Sequence, residues 1–487
     1  MRRNDGIALI FVLWVMVLLS GIALEMAFRG HLRVQETAAT AQTTKAFFLA
    51  RAGVEKSIAD LANEAGTVEE QQLLRDDAES VDVNATLGEG TYTLYAGMDE
   101  DGAPVYGMED ESSKLNINVV EATVLDKLPE MESGLAEAIV AIRGQEPFRD
   151  LKDLLQIEGI DAITLYGEDQ NENGLLDANE NDGDQSWPPD NADGWLDGGL
   201  SRYLTTWSAS LDLSAEGNAR VDLTQDDAET ITQEIKDVSQ QQADSIVARR
   251  ESGGFSSVLD LLEVELVEMT QEQPQEGDRR REKQEQPAPQ ENEKPSQGKK
   301  DEKKDEKKDE QKASSGKGNA KEGGKEEKPG QNAEGEEPKD SEKSKEQPKA
   351  VAKGTGQKAF DESAVRKIAD LATISKEDVR KGLININTAP YEVLACLPGM
   401  DETLAEAIVR ERDTRAGGFT TVIDLLDVNG MSVDKLKQCY EMMTARSDVF
   451  KVRSYGVIDG GAVCVGVGAV IDRSDETIHV LHWQEYE

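Results

Sequence analysis

The N-terminal segment constrains this chain more strongly than any other part of it. Ile7 to Leu24 is a run of eighteen residues without a charged side chain, and it follows the short basic stretch Met1 to Gly6. An uncharged helix of this length can span a bilayer. Arg2 and Arg3 are expected to hold the N-terminus in the cytoplasm, so that the rest of the chain lies on the other side of the membrane. The sequence therefore predicts a membrane-spanning helix over residues 7–28.

Three kinds of N-terminal segment fit such a run: a secretory signal, a plain membrane anchor with a helical stalk, and a leader that is cut on the cytoplasmic side of its own apolar helix. A secretory signal needs two small residues before its cleavage site, and the best pair, Gly21 and Ala23, lies inside the apolar run. The third kind is therefore favoured, with residues 1–6 as the leader and cleavage between Gly6 and Ile7. The plain anchor stays an alternative.

The helix is predicted to continue well beyond the membrane. Glu25 to Asn63 contains no proline, and its apolar residues recur at helical spacing while charged residues occupy the other face. The apolar positions are Ala46, Leu49, Ala50, Gly53, Val54, Ile58 and Leu61. A helix of about sixty residues is roughly 85 Å long. We expect its first half to lie in lipid and its second half to pack on a soluble domain.

The C-terminal tail has the pattern of an antiparallel sheet. Residues 449–458, 462–471 and 478–483 are valine-rich runs, apolar or alternating, and the first two are separated by Asp459-Gly460-Gly461. Residues 90–96 form a similar run far upstream. The sequence thus predicts strands that are close in space and distant along the chain.

The basic leader ending in glycine, the segment IALIFVLWVMVLL and the segment AFFLARAGVEKSIADL together resemble the pilin-type subunits of secretion machinery. The resemblance implies a long helix laid across an antiparallel sheet, and a leader removed by a prepilin-type peptidase. The pilin-like domain would be discontinuous, with residues 29–115 joined to residues 440–487 and an insertion between them. The predicted fold class is α+β: a long N-terminal transmembrane helix on a pilin-like antiparallel sheet, with an inserted all-α domain.

The insertion contains an internal repeat. The pattern of residues 116–143 returns 269 residues later in residues 385–412, and a third, more divergent copy covers residues 222–262. The agreement between the first two copies includes Asn-Ile-Asn, Leu-Pro, Leu-Ala-Glu-Ala-Ile-Val and a later arginine, a length that excludes chance. Leu, Ile and Ala at helical spacing predict short helices that bury one face. The helical insertion is accordingly assigned to residues 116–271 and 359–439.

These units resemble helix-hairpin-helix and SAM-like modules, whose nucleic-acid-binding members present backbone N–H groups of a glycine-rich hairpin to phosphates. The binding pattern is degraded here, because residues 397–401 (LPGMD) carry one glycine and an acid, and residues 128–132 (LPEME) carry two acids and no glycine. Carboxylates at that place repel phosphate. The repeats are therefore interpreted as a scaffold, and DNA binding is kept as the alternative.

A calcium loop is predicted at residues 169–180. In a twelve-residue calcium loop, oxygen ligands come from positions 1, 3, 5, 7, 9 and 12, glycine at position 6 allows the sharp turn, and position 7 supplies its backbone carbonyl. The matching ligands here are Asp169, Asn171, Asn173, Leu175, Asp177 and Glu180, with Gly174 at the turn. We expect calcium to hold a long loop in place. A solvated acidic loop without metal is the alternative reading.

A second, irregular metal site is predicted in the acidic residues that follow. They are Asp182, Asp184, Asp190, Asp193 and Asp197. Because the whole chain carries 97 acidic residues, the same residues are equally compatible with an ordinary solvated surface.

Residues 272–358 are predicted to be a disordered insert. Lys, Glu, Asp, Gln, Pro, Gly and Ser dominate this segment, and KKDE recurs in it. A segment of this composition cannot bury enough apolar surface to offset the entropy lost on ordering.

Composition argues against several classes of function. The formal charge of −43 makes non-specific attraction to phosphate backbones a poor hypothesis. Three cysteines without a CxxC spacing exclude a zinc ribbon and a disulfide framework. The sequence has no phosphate loop, GxSxG or HExxH motif, so no enzyme is predicted.

The leader, the discontinuous pilin-like domain, the inserted repeats and the acidic stretch of residues 167–208 together resemble the general secretion pathway protein K family, the large minor pseudopilin of type II secretion. The resemblance implies a non-enzymatic subunit that initiates or caps a periplasmic pseudopilus. Implied partners are other minor pseudopilins, the inner-membrane secretion machinery and prepilin peptidase, and nucleic acid is not expected.

The same resemblance implies a single-pass inner-membrane protein with a cytoplasmic N-terminus and most of the chain in the periplasm. Pilin-type subunits usually carry glutamate at the fifth residue after the cleavage site, where this chain has Phe11. The alternative function is that of an envelope-anchored helix-hairpin-helix protein for DNA uptake.

Overall fold

The computed structural model describes residues 5–63, 66–69, 83–98, 102–270, 351–475 and 477–486. Residues 1–4 of the predicted leader and residues 272–350 of the predicted disordered insert lie outside the described residues. The chain divides into two compact units, Met1–Glu268 with Lys353–Glu487, and Met269–Ala352. Of the second unit, only residues 269–270 and 351–352 are described.

The first element is one continuous helix, α1 (Asp5–Asn63), of 59 residues. Residues 9–41 of α1 are exposed, and this part is long and apolar enough to cross a membrane, judged by length and composition. Farther along, α1 buries one face, because apolar residues spaced three or four apart point to the same side. The buried apolar residues are Ala46, Leu49, Ala50, Val54 and Leu61. The predicted long helix is therefore confirmed.

A seven-stranded antiparallel sheet lies under the second half of α1. Its strands are β1 (Ala85–Leu87), β2 (Gly90–Met98), β3 (Pro104–Tyr106), β4 (Met108–Asp110), β5 (Val449–Ile458), β6 (Val463–Asp472) and β7 (His479–Tyr486). The order is β1-β2-β5-β6-β7, with β3 paired to β2 and β4 paired to β5. The upstream strands β2 and β4 thus pair with the C-terminal strand β5 within one sheet, as predicted. The predicted bounds of β5 agree with the observed ones, and the ends of the other predicted strands differ by at most three residues.

Helix α1 approaches the sheet very closely. A Cβ atom placed on Gly456 of β5 would lie 2.1 Å from the carbonyl oxygen of Ala46, and one placed on Gly53 of α1 would lie 2.1 Å from Oγ of Ser454. Only glycine fits at these two contacts, since real Cβ atoms do not approach that closely. The same contacts show that β5 runs antiparallel to α1, so that Val449 lies toward the C-terminal end of the helix.

The inserted repeats leave the sheet after β4 and return at β5. Asp110 at the end of β4 is paired with Phe450 at the start of β5. The point of departure and the point of return are therefore neighbours, at the end of the sheet that is farthest from the exposed apolar half of α1.

The insertion consists of three repeats, each opened and closed by a pair of two-residue parallel strands. Leu115–Asn116 pairs with Leu204–Thr205 in repeat 1. Val221–Asp222 pairs with Ala372–Thr373 in repeat 2. Ile384–Asn385 pairs with Met443–Thr444 in repeat 3. Each repeat is thereby a closed structural unit.

The helices of the repeats are short and occur in the same order. Repeat 1 has α2 (Ala122–Leu125), α3 (Leu135–Arg143) and α4 (Ala162–Tyr166); repeat 2 has α5 (Ala228–Glu234), α6 (Gln240–Ser252) and α7 (Glu362–Ile368); repeat 3 has α8 (Tyr391–Cys396), α9 (Glu402–Thr414) and α10 (Val433–Cys439). A 3₁₀ helix lies before the third α-helix of each repeat: Leu151–Gln156, Val258–Glu263 and Val422–Asp427. One hydrophobic core, with buried residues from all three repeats, joins them.

The structure corrects one feature of the predicted fold class and two predicted boundaries. The insertion is not all-α, because parallel strand pairs close each repeat, and Ala209–Leu211 also pairs with Val379–Lys381. Residues 359–373 belong to repeat 2 rather than to the third repeat. Repeat 3 extends to Thr444, beyond the predicted end at residue 439. These differences arise because short strands pair with partners that are distant along the chain. A local sequence pattern does not reveal which strands pair.

One arginine in each repeat ties its second helix to the start of its first. Nη1 of Arg250 donates to the carbonyl oxygens of Asp226 at 2.8 Å and Leu223 at 3.5 Å. Arg143 and Arg412 make the same pair of contacts in their repeats. A guanidinium thus supplies donors to two carbonyls of the turn that precedes the first helix.

The charged insert replaces a tight turn of repeat 2. In repeats 1 and 3, the chain turns before the third helix at Gly159 (φ 101°) and Gly430 (φ 95°). At the same place in repeat 2, strand Glu265–Thr270 leads out and strand Val351–Lys358 leads back, and the two pair. Residues 351–358 are consequently a strand, which corrects the prediction of disorder for this part.

Candidate functional site

The predicted calcium loop lies between repeat 1 and the sheet. It follows α4, and Lys152 of repeat 1 forms an ion pair with Glu172 at 2.8 Å. On the other side, Oη of Tyr455 donates to the carbonyl of Asn173 at 3.4 Å, and Nε2 of Gln484 donates to the carbonyl of Asn171 at 3.4 Å. The loop is thus positioned to link the helical insertion to β5 and β7.

Asp169 organises the curled backbone of the loop. Its Oδ1 accepts from the N–H of Asn173 at 2.9 Å, and its Oδ2 accepts from the N–H of Gly174 at 3.1 Å. Gly174 has φ 71°, a conformation that glycine adopts at no steric cost. The sharp turn predicted at the sixth position of the loop is therefore present.

Two carboxylates of the loop are buried. Asp169 is 8% exposed and Glu180 is 1% exposed. Burial raises the pKa of Glu180 to about 7, and the charges of Asp169 and Asp177 act in the same direction. Burial also raises the pKa of Asp169. Crowded, desolvated carboxylates of this kind fit a bound cation, because a positive charge would offset both effects.

The remaining side chains of the loop converge on Asp177. Nδ2 of Asn171 and Nδ2 of Asn173 donate to Oδ2 of Asp177 at 2.9 and 2.8 Å, and the N–H of Asp177 donates to Glu180 at 2.9 Å. Within the described ranges, no group of three or more His, Cys, Asp or Glu side chains is close enough to hold a metal. A cation in this loop would therefore also draw on the asparagine oxygens and on the carbonyl of Leu175.

The carboxylates of the predicted second site accept hydrogen bonds within their own loop, and among the described side chains no three acidic groups lie close enough to hold a metal. Asp190 accepts from the N–H groups of residues 182, 183 and 192, and Asp182 accepts from Ser186. Asp193 and Asp197 each accept an N–H group two residues further along the chain. Of Asp184, only the backbone is described. The carboxylates thus stabilise turns of their own loop.

Sequence reasoning missed two charged residues beside the loop. Glu168 is 7% exposed and accepts from the N–H groups of Asn191 and Asp197 at 3.4 and 3.3 Å. Arg453 on β5 is 6% exposed, packs against Gly174 and forms an ion pair with Glu109 at 2.8 Å. An arginine within the apolar run VFKVRSYGVI was the available signal for the second residue. Glu168 gave none.

The predicted cleavage site lies at the beginning of α1. Gly6 and Ile7 are within the first turn of the helix, and only their backbone is described.

The hairpin of repeat 3 uses its own carboxylate at the place where phosphate would bind. Oδ1 of Asp401 accepts from the N–H of Leu404 at 2.9 Å, which caps α9, and its Oδ2 lies 3.4 Å from Nζ of Lys435. An anion cannot use these groups without displacing the aspartate.

The hairpin of repeat 1 is equally unsuited to phosphate. Glu130 occupies a left-handed conformation, with φ 63°, where repeat 3 has Gly399 with φ 77°. A non-glycine residue in this conformation is uncommon and costs free energy. Its side chain brings negative charge to the hairpin.

Comparison with known protein families supports the interpretation of the repeats as helix-hairpin-helix units. The helix-hairpin-helix motif family matches residues 110–166 and 379–444. These ranges fall on repeats 1 and 3.

Proteins named endonuclease/exonuclease/phosphatase family domain-containing protein 1, from Rattus norvegicus, Homo sapiens and Bos taurus, are 40% identical over 78 residues. The match covers 16% of this chain and 14% of the length of those proteins. In the crystal structure of the GspK-GspI-GspJ complex of the type 2 secretion system of enterotoxigenic Escherichia coli, one chain is 21% identical, with a TM-score of 0.17. That match covers 26% of this chain and 45% of the other.

Proposed function

We propose that this chain is a non-enzymatic minor pseudopilin of type II secretion that initiates or caps a periplasmic pseudopilus. One observation carries the proposal: a single N-terminal helix has an exposed apolar first half and a second half buried on an antiparallel sheet. Such a helix needs lipid or the apolar helices of other subunits around its first half. This chain is therefore suited to storage in a membrane and to assembly through α1.

The place where the repeats are attached supports a position at the outer end of the fibre. They leave and return at Asp110 and Phe450, at the membrane-distal end of the sheet. In a fibre of subunits stacked along their N-terminal helices, a bulky domain at that end occupies the space of the next subunit outward. A subunit of this shape fits where nothing follows it.

Phe11 supports the same position. A glutamate at this place in pilin-type subunits can neutralise the N-terminal ammonium of a neighbour inside the apolar bundle, and phenylalanine cannot. A buried ammonium without a partner is costly. This chain is accordingly poor at receiving a further subunit in the way that internal members of a fibre must.

Calcium in the loop of residues 169–180 has a structural role in the proposal. The loop contacts Tyr455 of β5 and Lys152 of repeat 1. A bound calcium ion would fix the loop and hold the helical insertion against the sheet.

The proposed location is the inner membrane, with the N-terminus in the cytoplasm and the bulk of the chain in the periplasm. Its partners would be other minor pseudopilins and the inner-membrane secretion machinery. Prepilin peptidase would remove residues 1–6.

N-terminal sequencing of the membrane form tests the processing step, and counting of labelled molecules on isolated fibres by electron microscopy tests the position. We expect Ile7 as the first residue and a label confined to one end of each fibre. A start at Met1, or regular labelling along the shaft, contradicts the proposal.

DNA binding is the second candidate, because the helix-hairpin-helix family matches two of the repeats. Asp401 and Glu130 argue against it, since both place a carboxylate at the hairpin. Retention of the full chain on immobilised duplex DNA at rising salt separates the two functions. Salt-sensitive retention that is lost on Lys435→Ala would favour the DNA alternative.

A further inference from the structure

The helices of repeat 1 and the loop after α4 form an acidic cleft that the proposed assembly role does not use. The cleft has a volume of about 620 Å³. Its carboxylates are those of Glu130, Glu132, Glu168, Asp190 and Asp197. No Lys, Arg or His lines it in the part of the chain that the structure describes. Burial and the charge of Asp197 raise the pKa of Glu130, so the negative charges are already crowded.

Three apolar side chains also line the acidic cleft. Met131 of the hairpin, Ile163 of α4 and Pro189 of the loop line it, and Ile163 remains 40% exposed. The loop that supplies Pro189 also carries Trp187, 65% exposed, and Trp195, 46% exposed. Large apolar side chains left in water beside a cleft are typical of surfaces that bind a partner.

Repeat 3 provides an internal comparison. The equivalent cleft there is lined by Lys127, Arg410 and Lys435 as well as by Asp401 and Glu402. The position of Ile163, two residues after the helix cap, is occupied by Asp434 in repeat 3. The cleft of repeat 3 thus carries mixed charge, whereas the cleft of repeat 1 is lined by carboxylates without a cationic side chain among the described residues. Both clefts also have apolar lining residues.

We propose that the acidic cleft binds a segment of a partner protein in which lysine or arginine alternates with aliphatic residues. Charge complementarity identifies the occupant: the cationic groups pair with the exposed carboxylates of Glu130 and Glu132, and the aliphatic side chains cover Met131 and Ile163. The exposed indoles beside the cleft can receive a further cation on their faces. The inference does not depend on the pseudopilus, because it concerns only the surface of repeat 1.

The test uses the full chain in non-ionic detergent and a short fluorescent peptide of alternating lysine and leucine, with fluorescence anisotropy as the readout. A peptide with glutamate in place of lysine is the probe control. Glu130→Gln with Glu132→Gln removes two exposed charges, and we expect it to weaken binding about tenfold, equivalent to about 1.4 kcal/mol. Glu402→Gln with Glu406→Gln, at two exposed positions of repeat 3, is the matched control and should leave binding unchanged.

A third variant separates the apolar contact from the charge. Ile163→Asp adds a carboxylate and removes an apolar lining residue, at a helix position where aspartate is well tolerated. We expect weaker binding of the lysine–leucine peptide. Stronger binding would show that charge alone acts, and equal losses in the two double variants would show non-specific attraction; either result overturns the proposal. Displacement of the peptide by calcium at the same carboxylates would also overturn it, by assigning the cleft to a metal ion.

Discussion

The close contact between α1 and β5 leads to a stability prediction that the structure makes quantitative. Gly456→Ala places a Cβ atom 2.1 Å from the carbonyl oxygen of Ala46 and 2.6 Å from the backbone nitrogen of Ala50. Both atoms belong to the helix backbone, which cannot rotate away. Since ordinary contact needs about 3.4 Å or more, the helix must move outward by roughly 1.3 Å.

The magnitude follows from the apolar contacts that this movement loosens. Leu49, Val54 and Leu61 are the large buried side chains of α1, and burial of each stabilises the fold by about 2 kcal/mol. A gap of about 1 Å forfeits a quarter to a half of such contact energy. The expected cost is therefore about 1.5–3 kcal/mol, which corresponds to a melting temperature lower by roughly 2–4 °C, because the shift per kcal/mol falls as the folded chain becomes longer.

Circular dichroism of the full chain in non-ionic detergent measures the effect, with two comparison variants. Gly30→Ala is the matched control, because no atom lies within 4 Å of its Cβ position in the same helix. Gly53→Ala should cost less than Gly456→Ala, since its nearest neighbours are side chains, and Ser454→Ala should relieve most of that cost. If Gly456→Ala melts like Gly30→Ala, the close packing of α1 on the sheet is not as described.

Three further predictions concern other parts of the chain. Chelation of calcium should lower the melting temperature, by the equivalent of about 2.7 kcal/mol if calcium was present at a hundred times its dissociation constant. The double variant Asp169→Asn with Glu180→Gln should abolish that response. An unchanged response would place the metal elsewhere. Replacement of residues 271–350 by a short glycine-serine linker should leave the melting temperature unchanged or higher, because closing a long loop costs about 2–3 kcal/mol more than closing a short one; loss of folded protein would show that the segment contributes to the core. Arg250→Met should destabilise the fold by about 1–3 kcal/mol, since two carbonyls lose their donor. Arg249→Met removes a half-exposed ion pair and should change stability by less than about 1 kcal/mol. Equal effects of the two variants in denaturant titrations would refute this account.

Local patterns were sufficient for the long helix and for the C-terminal strands. The uncharged run from Ile7 to Leu24 and the period of apolar residues after Ala46 are features of neighbouring residues, and so is the alternation in residues 449–458. Each element could therefore be predicted without knowledge of its partners.

Closure of the repeats could not be predicted in this way. Val221–Asp222 pairs with Ala372–Thr373 across some 150 residues, which include the charged segment. Two-residue strands carry no periodicity, so nothing in the sequence identifies their partners. The error in the boundary of repeat 2 has this cause.

Part of the candidate site could likewise be predicted from the sequence, and part could not. The ligand spacing of the predicted calcium loop is local and was visible in the sequence, and Gly174 takes the conformation that the spacing requires. The contact of the loop with Tyr455, and the presence of Arg453 beside it, depend on how β5 faces repeat 1. Those residues are more than 270 positions away in the sequence, and only the fold brings them together.

Two insertion points show how a helical repeat can accept additional residues and keep the contacts that close it. Repeat 1 accepts the acidic loop after α4, repeat 2 accepts the charged segment at a hairpin turn, and repeat 3 accepts neither. In repeats 1 and 2 the additional residues enter at a turn. The arginine that joins the second helix to the start of the repeat, and the pair of parallel strands that closes the repeat, are present in all three repeats. Stability is thus carried by contacts that an insertion at a turn does not break. The hairpins carry no such contacts, and the hairpin of repeat 1 contributes two carboxylates to the acidic cleft.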